Sequence, residues 1–89
     1  MTKDKFETLM SEIAKAKSKL EAADVPVDRI YITKEYLDAI RGYVGHLERL
    51  EGKPSLFGHP VFRGPESLVT SSAKFGLRCV KIEFSRLED

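Results

Sequence analysis

The side chains able to do covalent or metal chemistry are few: His46, His59 and the single cysteine, Cys79. A thiolate beside an imidazole makes a nucleophile with its base, and a cluster of such groups can hold a transition metal. Scattered between positions 46 and 79, with no His-x-x-x-His or Cys-x-x-Cys pair, they carry neither signature. By residue type, Cys79 reads as a small buried hydrophobe and both histidines as half-exposed surface groups. Gly58, Gly64 and Gly76 are too widely spaced for a phosphate-cradling loop. Lys15, Lys17 and Lys19 alternate in sequence, so on a helix they diverge and form no phosphate track. The carboxylates alternate with lysines as on a solvated face. No catalytic residue, cofactor-binding residue or metal ligand is assigned, no cofactor is expected, and the chain is read as non-enzymatic.

Charge and aromatic content are more informative. The whole chain of 89 residues has a formal net charge of +1, which excludes a general nucleic-acid coat. Residues 1–52 hold nine basic and ten acidic side chains, a balance of −1. Residues 53–86 hold six basic (Lys53, Arg63, Lys74, Arg78, Lys81, Arg86) and two acidic ones (Glu66, Glu83), a balance of +4. Phe57, Phe62 and Phe75 are interleaved with these cations, along with His59. In a small protein such phenylalanines are expected first to fill the core. A second reading makes them stacking groups for single-stranded nucleic acid, beside cations that attract phosphate. A third is an interface with an acidic protein surface.

These residues must be positioned by a small set of elements. Phe6, Leu9, Ile13, Ala16, Leu20 and Ala23 recur in alternating steps of three and four, which predicts a helix over about 5–23. Asp4 with Glu7 fits a capping box, and Asp24 with Val25-Pro26 ends the helix. Arg29-Ile30-Tyr31-Ile32 reads as a short strand, 29–32. Thr33 then suits an N-cap for a helix over about 34–51, with its seam at Leu37, Ile40, Val44 and Leu47 and a cap at Gly52 before Pro54. Gly42 and Gly45 inside that helix mark either fraying or a smooth patch for a close backbone. Between 52 and 84 the chain turns rich in proline, glycine and phenylalanine, and a sheet region over about 55–84 is expected. Residues 56–63 form a strand broken by a turn or bulge at Gly58–Pro60, Leu68-Val69-Thr70 is a brief strand, and Leu77–Phe84 is the best strand. In that last strand Val80, Ile82 and Phe84 point one way, and Cys79, Lys81 and Glu83 the other.

The expected architecture is therefore a single α+β domain over 1–89. Two amphipathic helices pack on a small, mainly antiparallel sheet of three or four short strands, in the order α-β-α-β-β. A chain this small gains by sharing apolar surface with a copy of itself. The two seams (Phe6, Leu9, Ile13, Leu20, Leu37, Ile40, Val44, Leu47) are the candidate self-association residues, and a homo-oligomer is expected. No run is long enough to span a membrane, and no apolar region follows Met1 as in a secretory signal, so a cytoplasmic or virion location is expected.

The stretch Arg29-Ile30-Tyr31-Ile32-Thr33-Lys34-Glu35-Tyr36-Leu37-Asp38-Ala39-Ile40-Arg41, then Leu56-Phe57-Gly58-His59-Pro60-Val61 and Lys74-Phe75-Gly76, resembles a segment of phage structural proteins. The likeness covers about half the chain and is best to the peripheral domain of phage major capsid proteins. The chain is far shorter than such a capsid protein and lacks its long spine helix and extended arm. What the resemblance implies is a phage or prophage setting, as a small virion component or an inhibitor of a host factor. It transfers no functional residues.

The functional expectation is a non-enzymatic binding or assembly protein acting through protein–protein contacts. Phe57, His59, Phe62, Arg63, Arg78 and Lys81 are the candidate partner-binding residues. The alternative is a single-stranded nucleic-acid-binding protein that uses the basic, aromatic C-terminal half.

Overall fold

A computed structural model describes residues 2–45 and 47–84. Its first element is α1, Lys3–Ala22. The helix starts two residues before the expected position because Thr2, and no capping box, supplies the N-cap: its Oγ1 accepts from the Lys5 N–H at 3.2 Å. Asp4 stays in the first turn, where its charge faces the positive end of the helix dipole. At the other end Asp24 turns left-handed (φ 60°), the Asp24 N–H donates to Glu21 O, and the Val25 N–H donates to Leu20 O. This Schellman arrangement satisfies the last carbonyls and folds buried Val25 back toward buried Leu20.

Strand β1, Arg29–Ile32, falls where the sequence places it. Helix α2, Lys34–Val44, is shorter than expected. Gly45 adopts φ 84° and its N–H closes on Arg41 O at 2.8 Å, so the chain leaves the helix there and does not reach the second seam's last residue. A Cβ on Gly42 would meet nothing within 4 Å, so Gly42 hosts no close backbone.

The residues expected to continue the helix enter the sheet instead. Strand β2 is Arg49–Leu50, β3 is Lys53–Leu56 and β4 is His59–Arg63. The connections are two-residue turns, Glu51–Gly52 and Phe57–Gly58, in which both residues have positive φ. That is the geometry of type I′ turns, whose twist matches the flanking strands. Gly52 therefore caps a hairpin and not a helix. Leu47 buries itself from a loop, anchored by the Ser55 N–H and Oγ, which both donate to Glu48 O.

Strand β5 is Leu68–Thr70, a 3-10 turn covers Ala73–Phe75, and β6 is Cys79–Lys81. The sheet has six strands in the order β2-β3-β4-β1-β5-β6, against the three or four expected. Four pairings are antiparallel and one, β1 with β4, is parallel. The fold is thus α+β, with α2 and the β2–β3 hairpin forming the crossover that returns β4 alongside β1.

Alternation along the central strands sorts the two faces. Ile30 and Ile32 of β1, Val61 of β4 and Val69 of β5 point into one core with Leu9, Ile13, Ala16 and Leu20 of α1 and with Leu37 and Ile40 of α2. Ile82 and Phe84, following β6, close that core, and the Phe84 ring lies 4.4 Å from Tyr36. Each such aliphatic contributes about 1.5–3 kcal/mol by leaving water. Of the eight seam residues, Leu9, Ile13, Leu20, Leu37, Ile40 and Leu47 are buried within the one chain. Phe6 stacks on Tyr43 at 4.6 Å, and Val44 stays exposed. Most of both seams is thus spent internally, and what they leave for a copy of the chain is Val44 and the half-buried Phe6.

Candidate binding surface

With both helices on one side, the opposite side of the sheet presents Arg29 and Tyr31 from β1, Phe62 from β4, Lys53 from β3, Leu68 and Thr70 from β5, and Cys79 and Lys81 from β6. At its centre the Tyr31 and Phe62 rings, partners in the parallel register, lie 5.8 Å apart and inclined by 34°. Arg29 Cζ sits 5.2 Å and Lys53 Nζ 5.4 Å from the Phe62 centroid, so two cations rest on one ring. Arg29 also donates to Tyr31 Oη at 3.5 Å and has Asp28 at 3.4 Å. The bond to Tyr31 first, and then the Asp28 carboxylate, raise its pKa.

The Tyr31 ring is set by a close backbone approach. Gly64 continues the parallel pairing, its N–H donating to Ile32 O at 3.1 Å. A Cβ at Gly64 would stand 3.2 Å from Tyr31 Cδ1 and 3.3 Å from Tyr31 Cβ, so any larger residue would push the tyrosine aside.

The six residues chosen from the sequence do not converge. Phe57 is 46% exposed at the tip of the β3–β4 turn, and Arg78 lies in the β5–β6 loop. Phe62 and Lys81 share the uncovered face, but β1 and β5 run between their strands, and Lys81 is paired with Glu66 at 3.6 Å. His59 and Arg63 have the parity of Val61 and turn toward the helix side. Burial, and then the positive charge of Lys17, lower the His59 pKa, with Glu21 and Asp28 opposing. Phe57, Phe62 and Phe75 stay out of the core that phenylalanines were expected to fill; Phe84 takes that role. Cys79 is exposed, contrary to the buried hydrophobe expected.

Tyr31, Arg29 and Lys53 were the residues that sequence reasoning missed. The signal was present in the alternation of Arg29 and Tyr31 with Ile30 and Ile32, which already divides the first strand into two faces. Chemically, the described residues do not bring the thiol and the imidazole together. Cys79 on β6 and His59 on β4 are three strand spacings apart, roughly 14 Å, and on opposite faces. His46 lies outside the described residues. Among the described residues no group of three or more His, Cys, Asp or Glu is arranged to hold a metal ion, and no helix is long and apolar enough to cross a membrane. No protein-family model, curated protein or solved structure matches the chain.

Proposed function

We propose that this protein is a non-enzymatic binding module whose uncovered sheet face receives a partner protein. The observation that carries this reading is the pair Tyr31–Phe62, held under Arg29 and Lys53 on a face that neither helix covers. Aromatic and arginine side chains with flat, preorganised surfaces are the groups that concentrate binding energy at interfaces. The large exposed hydrophobics at the rim of the sheet, Phe57, Phe75 and Leu77 among them, favour a protein surface as the occupant. A phage or prophage setting, as a virion component or a blocker of a host factor, is part of the same proposal and is supported by the residue likeness at 29–41, 56–61 and 74–76.

A second reading has one observation in its favour. Two neighbouring rings, one of them with two cations over it, also make a platform for the bases and phosphates of a single strand.

The two are separated by parallel measurements on the wild-type chain and an Arg29→Glu/Phe62→Ala variant. Affinity capture from cells carrying the gene should retain a protein that the variant loses, and the pair should reassemble from purified components at moderate salt. Binding of single-stranded oligonucleotides that falls steeply with salt, without such a protein, would transfer the face to nucleic acid. Equal retention by wild type and variant would remove the face from the function.

A further inference from the structure

We infer that the β5–β6 loop, residues 71–78, with the recess beside it, docks an acidic segment of a partner protein through an apolar side chain. The inference rests on the binding reading above and specifies the partner's chemistry at one end of that face.

The recess, of about 600 Å³, lies between the outer face of β1 and β5 and the loop. Tyr31, Leu68, Ala73, Leu77 and Cys79 give it a mainly apolar wall, and its two charged lining residues, Asp28 and Arg29, are paired with each other at 3.4 Å, so the charge that selects an occupant comes from the loop. Its size and lining suit a bulky aliphatic or aromatic side chain. Leu77 stands over it under unusual conditions. At 66% it is the most exposed large hydrophobic among the described residues, and its φ is +49°, a left-handed conformation that a branched side chain adopts at a cost and glycine adopts freely. The loop thus holds an aliphatic side chain largely out in water on a strained backbone. Such outliers concentrate at ligand-contacting positions.

The loop is also braced by its own hydrogen bonds. The Ser71 N–H donates to Arg78 O at 2.8 Å, the Arg78 N–H donates back to Ser71 Oγ at 2.8 Å, and the 3-10 turn closes with the Gly76 N–H on Ala73 O. A surface fixed before binding loses little freedom on binding.

Charge selects the occupant. From Ser67 to Ile82 the chain carries Lys74, Arg78 and Lys81 and no Asp or Glu. Lys81 is satisfied by Glu66, whereas Lys74 and Arg78 form no ion pair with any described residue. Two cations without carboxylate partners on either side of Phe75 and Leu77 complement an acidic segment that inserts an apolar group. The recess shares Tyr31 and Arg29 with the aromatic centre of the sheet, and Leu77 with the loop cations is what it adds.

The test is a titration of the isotopically labelled full chain, followed by amide NMR shifts. The probes are a short extended peptide in which glutamates alternate with leucine and phenylalanine, its twin with lysines for glutamates, and a single-stranded oligonucleotide. The acidic peptide should move the amides of 71–79 and Tyr31 in a saturable way, and its basic twin should not. Leu77→Gly should bind the acidic peptide about tenfold more weakly while melting no lower than wild type, since glycine relieves the backbone. Lys74→Glu/Arg78→Glu should reverse the preference between the two peptides. No shifts at 71–79, equal response to both peptides, or undiminished affinity in Leu77→Gly would overturn the inference. Shifts confined to Lys53 and Phe62 would overturn it while leaving the sheet-face reading standing. Loop shifts given by the oligonucleotide in preference to the acidic peptide would also overturn it.

Discussion

The two faces of the sheet are built from the same strands by opposite rules. On the covered face, Ile30, Ile32 and Val69 have no exposure and meet aliphatics from both helices. On the uncovered face their immediate neighbours Arg29, Tyr31 and Leu68 remain at least partly in water, and the aromatic rings are met by cations. The first face is organised by volume and the second by charge and ring geometry. The covered face supplies most of the burial that folds the chain, and the uncovered face, apart from buried Thr70, keeps its side chains at least partly in water.

Substitutions on the two faces can break or sharpen this contrast. The largest effect is expected for Ile30→Ala or Ile40→Ala, each leaving a cavity under a helix and lowering stability in chemical denaturation by about 2–4 kcal/mol. If Phe62→Ala costs as much, the two faces do not differ as described. Gly45→Ala should come next, at about 1–2 kcal/mol, because it forces a side chain into φ 84° where α2 ends.

Gly64→Ala links the faces. It should cost about 1 kcal/mol and shift the Tyr31 ring signals by crowding Tyr31 from 3.2 Å, where an alanine on open surface would shift nothing. Phe62→Ala should cost about 1 kcal/mol, since partial burial, the tilted ring contact with Tyr31 and two solvent-exposed cation contacts are lost.

The smallest effect is the pH dependence due to His59. Its folded pKa lies below the usual 6.5, so the unfolded chain takes up the proton first. Its contribution is complete above about pH 6.5 and is lost as the pH falls through the folded value. His59→Gln should flatten that slope in thermal melts, and an unchanged slope would remove His59 as its source.

The regions legible from sequence were those in which one pattern had one meaning. The α1 seam and the alternation in β1 agree with their surroundings, and both elements stand close to the expected positions. Beyond Val44 two signals competed. Leu47 and Leu50 keep the helical spacing, but Gly45 gives the chain a cheap exit, and the tight turns at Glu51–Gly52 and Phe57–Gly58 fold the next residues into hairpins. Glu51 and Phe57 are poor advertisements for positive φ, and so those turns were hard to read. The binding surface was half legible. Phe62 and Lys81 stand out by composition, while Arg29 and Tyr31 meet Phe62 only through the parallel pairing of β1 with β4, a contact made across the α2 crossover, and Lys53 meets it only through the β3–β4 hairpin. His59 and Arg63 were misplaced because strand parity, not proximity in sequence, decides which face a residue joins.

The central claim, that the helix-free side is the working side, is tested most directly by a photo-crosslinking amino acid placed at Phe62 and, separately, at Ser18 on the exposed side of α1. In cells carrying the gene, the probe at 62 should form a discrete covalent adduct with a partner that the probe at 18 does not form. Adducts from position 18 with none from position 62, or the same adducts from both, would contradict it.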